Sequence, residues 1–225
     1  MKLRELDAFA AQSRRRQSKD PLERFDTPAW VTRALLAHLP ALHGMRVIEP
    51  CAGAGAMSRV LEADGSCRVQ SFDVAPRAEG IHAVDTLASG FWLPGGRLTE
   101  PLIGYAVVTN PPFSGAALLL RFAMRARVGL IALLVRLTWL EAVNDRADLP
   151  DPDTLLILPR PTFIESLEAR AIREAAGKPW NGDNCTVTWA IWGDIERQII
   201  RVTRREKTQL EGVQVAERYQ DLFAV

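Results

Sequence analysis

The sequence predicts a doubly wound α/β fold in a single domain: a mostly parallel sheet with an antiparallel strand at its edge. Three observations predict it. Short apolar runs ending in polar residues alternate with stretches of helical periodicity through the first part of the chain, and strands joined by crossover helices pair in parallel. A glycine pair directly follows the first such run. The last two strand-like runs have no helical crossover of good periodicity between them, which fits antiparallel pairing. With 225 residues, 48% hydrophobic and 24% charged, the chain suffices for one full core.

Taken in order, residues 1–24 are polar and basic and read as an arm outside the domain. At Phe25-Asp26-Thr27-Pro28 the pattern changes. Thr27 suits an N-cap and Pro28 the first helical position. Val31, Leu35, Leu36 and Leu39 then recur at helical spacing as far as Pro40. Met45 to Glu49 is a strand, Met57 to Ala63 a helix ended by Gly65, and Cys67 to Phe72 a second strand closing at Asp73. The short piece Ile81 to Val84 leads into Asp85. Ile103 to Val108 is a strand running into Thr109-Asn110-Pro111-Pro112-Phe113. A helix from Ser114 to about Arg127 precedes the buried-looking strand Gly129 to Val135, and another helix lies near Trp139 to Arg146. Thr154 to Leu158 and Thr186 to Trp192 form the antiparallel pair, with Trp189 and Trp192 in the core. The domain therefore spans 25–195. Residues 160–184, polar and punctuated by glycine and proline, form a loop suited to target contact, and 196–225 is a tail with a short helix from Thr208.

Composition narrows the classes of function. The net charge of +1 announces no polyanion binder. The basic runs Ser13 to Lys19 and Arg201 to Lys207 read by default as solvated surface. Cys51, Cys67 and Cys185 are odd in number and without CxxC spacing, so they read as buried small residues, and no metal site is expected. No apolar run reaches membrane length, and Met1 to Asp7 has no secretory pattern, so a cytoplasmic location is expected.

Two constellations carry chemistry. The first is the strand followed by Glu49-Pro50-Cys51-Ala52-Gly53-Ala54-Gly55 and a helix. Glycines there let the backbone pass close to a cofactor, and the helix N-terminus favours an electronegative group. Asp73, about twenty residues on, stands where a carboxylate accepts the ribose hydroxyls of an adenosine-bearing cofactor, as in Rossmann-like sheets. The third glycine of a dinucleotide fingerprint is absent, since Ser58 holds that position. The second constellation is Asn110-Pro111-Pro112-Phe113, at the carboxyl edge where open α/β sheets place their sites. An adenine amino nitrogen is a poor nucleophile because its lone pair is delocalised into the ring. The Asn110 amide oxygen and the Pro111 carbonyl can hold its hydrogens and favour a tetrahedral nitrogen. Pro111 and Pro112 fix φ and offer no competing N–H. Phe113 supplies a face for a base swung out of its helix.

These motifs resemble the class I S-adenosylmethionine-dependent N6-adenine DNA methyltransferases, in particular the small phage-type enzymes. The resemblance covers about Phe25 to Trp192. It implies S-adenosylmethionine as cofactor, with Phe25 and Thr27 at its methionine end. It places Glu49, Pro50, Ala52, Gly53 and Gly55 in its loop, Asp73 on its ribose and Asp85 on its adenine amino group, with Asn110 facing the methyl group. Asn110, Pro111, Pro112 and Phe113 are then the catalytic tetrapeptide, and DNA is the expected partner. RNA adenine and a protein glutamine side chain are the competing acceptors. Phe113, where the glutamine enzymes favour Tyr, and Phe25 to Pro28 argue against glutamine. A non-catalytic cofactor- or DNA-binding module would be expected to have lost the tetrapeptide or Asp73, and neither is lost. Larger members carry a separate target-recognition domain that this sequence lacks, so weak or short target specificity is expected. The oligomeric state is open, a homodimer being one candidate.

Overall fold

A computed structural model describes residues 22, 25–63, 67–92, 102–141, 148–161, 163 and 186–212. The strands are β1 (Arg46–Glu49), β2 (Arg68–Asp73), β3 (His82–Ala83), β4 (Tyr105–Thr109), β5 (Leu130–Arg136), β6 (Thr154–Ile157), β7 (Val187–Gly193) and β8 (Gln198–Arg201). The helices are α1 (Ala29–His38), α2 (Ala56–Ala63), α3 (Ala116–Arg125) and α4 over 204–212. One sheet contains all eight strands in the order β3-β2-β1-β4-β5-β7-β6-β8. From β3 to β5 every pairing is parallel. β7 runs antiparallel to both β5 and β6, and β8 pairs parallel with β6 at the rim.

This order places the site. The chain goes from β1 outward to β2 and β3, then returns to lay β4 on the other side of β1. Such a reversal opens a crevice beyond the carboxyl ends of the two central strands. Those ends are Glu49 and Thr109, the latter followed at once by Asn110.

Two apolar layers cover the sheet, and the period-two alternation of strands decides which residue joins which. Along β5, Leu130, Ala132 and Leu134 enter one layer, while Ile131, Leu133 and Val135 enter the other. A strand covered on both faces must be apolar throughout, which is why Leu130 to Val135 reads as one unbroken run. β7 divides likewise: Trp189 faces the first layer and Trp192 the second, both buried. The Trp189 indole Nε1 donates to the Val31 carbonyl at 3.0 Å, which ties α1 to the sheet.

Several elements differ from expectation. Pro28 is the N-cap of α1, and no side chain caps the helix. The Thr27 hydroxyl is engaged elsewhere, as described below. The expected helix near Trp139 is a 3-10 turn at Leu137–Glu141 in its described part, and 142–147 lie outside the described residues. Beyond Ile195, where the sequence suggests a tail, β8 extends the sheet and Val202 is buried against the first layer. α4 then starts earlier than Thr208, at a reciprocal cap: the Thr203 N–H donates to Glu206 Oε2 at 2.7 Å and the Glu206 N–H to Thr203 Oγ1 at 3.2 Å. Of the arm at 1–24 only Leu22 is described, and of the 160–184 loop only Arg160, Pro161 and Phe163. No helix among the described residues is long and apolar enough to cross a membrane.

Candidate active site

The loop after β1 is pinned by backbone and carboxylate together. The Ala52 N–H donates to the Phe72 carbonyl at 2.9 Å, and the Gly53 N–H donates to Asp73 Oδ2 at 2.7 Å. The other Asp73 oxygen accepts the Ala75 N–H at 2.8 Å. A buried carboxylate is thus satisfied by two main-chain donors, and an ionised carboxylate retains further lone pairs for a ligand. Gly53 and Gly55 have φ of +57° and +73°, a region that favours glycine. At Gly53 a Cβ would also come to 3.3 Å from the Arg77 guanidinium.

Glu49 sits beneath this loop, 2% exposed, with Ser58 Oγ donating to its carboxyl; the Ser58 and Ser71 hydroxyls lie 2.6 Å apart. Burial pushes its pKa up to about 8, the Ser58 bonds oppose the rise, and the nearby Asp73 charge adds to it. Cys51 is half-buried rather than fully buried, and its thiol is pushed up to about 12 by desolvation and by the Asp73 charge. Both effects favour the neutral thiol over the nucleophilic thiolate. Cys185 lies outside the described residues.

The turn after β3 closes the far side. Asp85 Oδ1 accepts the Leu87 N–H at 3.0 Å, Thr86 Oγ1 donates to the Pro50 carbonyl at 2.7 Å, and the Trp92 indole donates to the Thr86 carbonyl at 2.7 Å. Asp85 is exposed and Thr86 buried.

Asn110 meets a segment that sequence reading assigned to another task. Its Nδ2 donates to the Phe25 carbonyl at 3.4 Å and to Thr27 Oγ1 at 3.2 Å. A main-chain carbonyl accepts only, so the nitrogen of the amide must face Phe25. The amide oxygen Oδ1 is then turned away from that wall, available as an acceptor.

One cleft gathers most of these groups. Phe25, Thr27, Glu49, Pro50 and Ala52 line it, as do Gly53, Asp73, Asp85, Asn110 and Pro112. Gly55, Pro111 and Phe113 are not part of its lining. The Phe113 ring lies 6.5 Å from that of Phe25, and the Arg136 guanidinium stacks over it at 4.0 Å from the ring centroid. The sequence reading missed Asp26, Val74, Arg77, Thr86 and Leu87, which also line the cleft. Val74, 54% exposed, immediately follows Asp73, so an apolar residue directly after the strand-end carboxylate was the available signal. Asp26 and Arg77 form an ion pair at 2.6 Å that joins the Phe25–Pro28 segment to the turn after β2. Fifty-one positions separate them, and nothing local announces the pair. Among the described residues no cluster of His, Cys, Asp or Glu is arranged to hold a metal ion.

The sequence matches no family model and no curated protein. Solved structures do resemble the fold. A candidate class I S-adenosylmethionine-dependent methyltransferase from Listeria monocytogenes is 12% identical over 95% of this chain and 76% of that one, with a TM-score of 0.52. A candidate hemolysin from Lactococcus lactis is 10% identical over 83% of this chain and 95% of that one, with a TM-score of 0.51. The modification subunit of a candidate type I restriction enzyme from Vibrio vulnificus is 12% identical with a TM-score of 0.49; 90% of this chain aligns, but it spans only 54% of that subunit. The first two likenesses show a shared fold, a single α/β domain built on a mostly parallel sheet.

Proposed function

We propose that this protein transfers a methyl group from S-adenosylmethionine to the exocyclic amine of adenine in DNA. The observation that carries this reading is the Asn110 amide, locked by Phe25 and Thr27 so that its oxygen is the group left to accept. It lines a cleft whose remaining walls suit an adenosine. There the Asp73 carboxylate suits a pair of vicinal hydroxyls, Val74 and Leu87 offer apolar contact to a purine face, and Asp85 suits a purine amine.

The cofactor supplies an electrophilic methyl group on a sulfonium, and the rest falls to the chain. Asn110 Oδ1 and the Pro111 carbonyl each accept one hydrogen of the target amine. That draws the lone pair out of the ring and aims it along the line of attack. When bound, the sulfonium would take back the carbon–sulfur electron pair as its methyl group passes to the amine, and the surplus amine proton would leave to water. Phe113 supports the displaced base from outside the cofactor cleft, its other neighbour being the Arg136 guanidinium. Glu49 and the loop Pro50 to Gly55 hold the methionine side and Phe25 closes it, while the Thr27 hydroxyl acts on Asn110.

Two measurements test this. Radiolabelled S-adenosylmethionine is offered with duplex DNA, RNA and protein in parallel: label appearing in N6-methyladenine of DNA is expected, and label confined to RNA or to protein overturns the DNA assignment. Thr27→Val removes the hydroxyl that holds Asn110 while keeping shape. A net hydrogen bond is worth about 1 kcal/mol, so kcat should fall roughly threefold to tenfold with the cofactor KM little changed, and Thr27→Ser should recover it. A raised KM with unchanged kcat would place Thr27 on the methionine end instead.

A further inference from the structure

The near-neutral charge of the sequence hides a segregation that appears only once β8 is in place. β6 and β8 run parallel to β5, so the carboxyl ends of β4, β5, β6 and β8 share one edge. On that edge Arg136 ends β5, Arg160 follows β6, Arg201 ends β8 opposite Ile157, and Arg204 and Arg205 open α4. The opposite, amino edge of β6 and β8 holds Asp151, Asp153, Asp194 and Glu196, with Arg197 drawn to Asp153 at 3.9 Å. Four exposed arginines of this subdomain therefore gather at one end of these short strands, and four acids, with Arg197 among them, at the other.

Arg136 stacks on the Phe113 ring, and the other four arginines stand apart from it. Arg160, Arg201, Arg204 and Arg205 are exposed, and none of them has an ion pair among the described residues. The neighbouring acid is already committed: Glu206 caps α4 through Thr203 and meets His38 at 3.3 Å. Lys207 reaches Glu211, the Trp30 ring and the Arg160 carbonyl, which holds α4 against the loop after β6. Arg204 and Arg205 also occupy the first turn of α4, where the helix dipole disfavours cations. An arrangement unfavourable to the isolated fold is favourable to a polyanion.

We infer that this arginine row, running outward from Arg136, carries the phosphate backbone of a DNA duplex whose displaced adenine reaches Asn110; the inference rests on the function proposed above. The reach agrees with duplex geometry. Three strand spacings separate β5 from β8, about 14 Å, and one strand of DNA advances about 3.4 Å per nucleotide, so the row matches about four successive nucleotides beside the target. Its guanidinium groups match phosphate oxygens with a bidentate fork of donors.

The test uses the full chain and a mixed-sequence duplex of about twenty base pairs. In Arg201→Gln/Arg204→Gln/Arg205→Gln, the slope of log affinity against log salt should flatten by about 2 to 3, since each neutralised phosphate contributes about 0.9. The dissociation constant should rise at least about tenfold at low salt, with cofactor affinity unchanged as the check on folding. Lysine at all three positions should restore most of the slope, because charge and not shape is at stake. An unchanged slope and affinity in the glutamine variant overturns the inference, as does a loss confined to RNA. A wild-type chain that binds the duplex through this row yet puts no methyl on it overturns the adenine reading and leaves the row standing.

Discussion

Asn110→Ala should leave the cofactor bound and reduce methyl transfer by about a thousandfold, since removal of one preorganised polar group at a reacting centre costs about 10²–10³ in kcat and here two jobs are lost together. One, on the proposed mechanism, is polarisation of the amine by Oδ1. The other is the tie to the Phe25 carbonyl and Thr27 hydroxyl, which fixes where Oδ1 stands. Alanine removes both while adding no bulk or charge to the cleft, so cofactor affinity should shift by no more than about threefold, less than the 1.4 kcal/mol that a tenfold change requires. Asn110→Asp separates the jobs. It keeps an acceptor for the amine but turns an oxygen onto the Phe25 carbonyl, where two acceptors repel, so its activity should be low yet measurable above the alanine variant. Isothermal titration with cofactor and single-turnover transfer on a duplex give the two numbers. Transfer by Asn110→Ala within tenfold of wild type would remove the catalytic centre from this strand end.

What the sequence made legible follows from how local each signal is. The parallel strands β4 and β5 declare themselves because burial on both faces forces nearly unbroken apolar runs, and such runs are visible without knowing the partner strand, whereas β2 shows itself by the alternation of exposed Arg68 and Gln70 with Val69 and Ser71 before buried Phe72. Asp73 and Asn110 are legible for a related reason: a polar residue that ends an apolar strand sits at the carboxyl edge by construction. β8 was missed because an edge strand leaves Gln198, Ile199 and Arg201 exposed, and no alternation marks them as strand. Its order in the sheet is a long-range pairing with β6, settled by packing and not by composition. The second task of Thr27 was hidden for the same reason. Its local surroundings suit a helix cap, and only the fold brings the Asn110 amide, 83 residues away, to its hydroxyl. The Asp26–Arg77 pair and the arginine row are likewise products of tertiary placement.

Glu49→Gln should convert a pH-sensitive protein into one that is nearly flat between pH 5 and pH 8. The Glu49 carboxyl is buried against Ser58, with its pKa raised to about 8 from an ordinary 4.5 chiefly by desolvation, and with Asp73 pushing it up while Arg59 pulls it down. Between those two values the folded chain keeps a proton that the unfolded chain has released. Stability contributed by the protonated form is therefore complete below about pH 4.5 and is lost as pH rises through 8, at about 1.4 kcal/mol for each pH unit. Glutamine keeps the size and the partner for Ser58 but has no proton to lose, so the wild-type melting temperature should fall against that of Glu49→Gln by roughly 3–6 °C per pH unit. On the proposed function the same proton would couple to the cofactor. A cationic sulfonium and ammonium beside Glu49 would favour its carboxylate, so binding at neutral pH should release a proton. Cofactor affinity should then climb with pH up to about 8 in the wild type and stay level in Glu49→Gln. Titrations in buffers of different ionisation enthalpy read that proton directly. Equal proton release by the two proteins would mean that the buried acid under the glycine loop takes no part in holding the cofactor's charge.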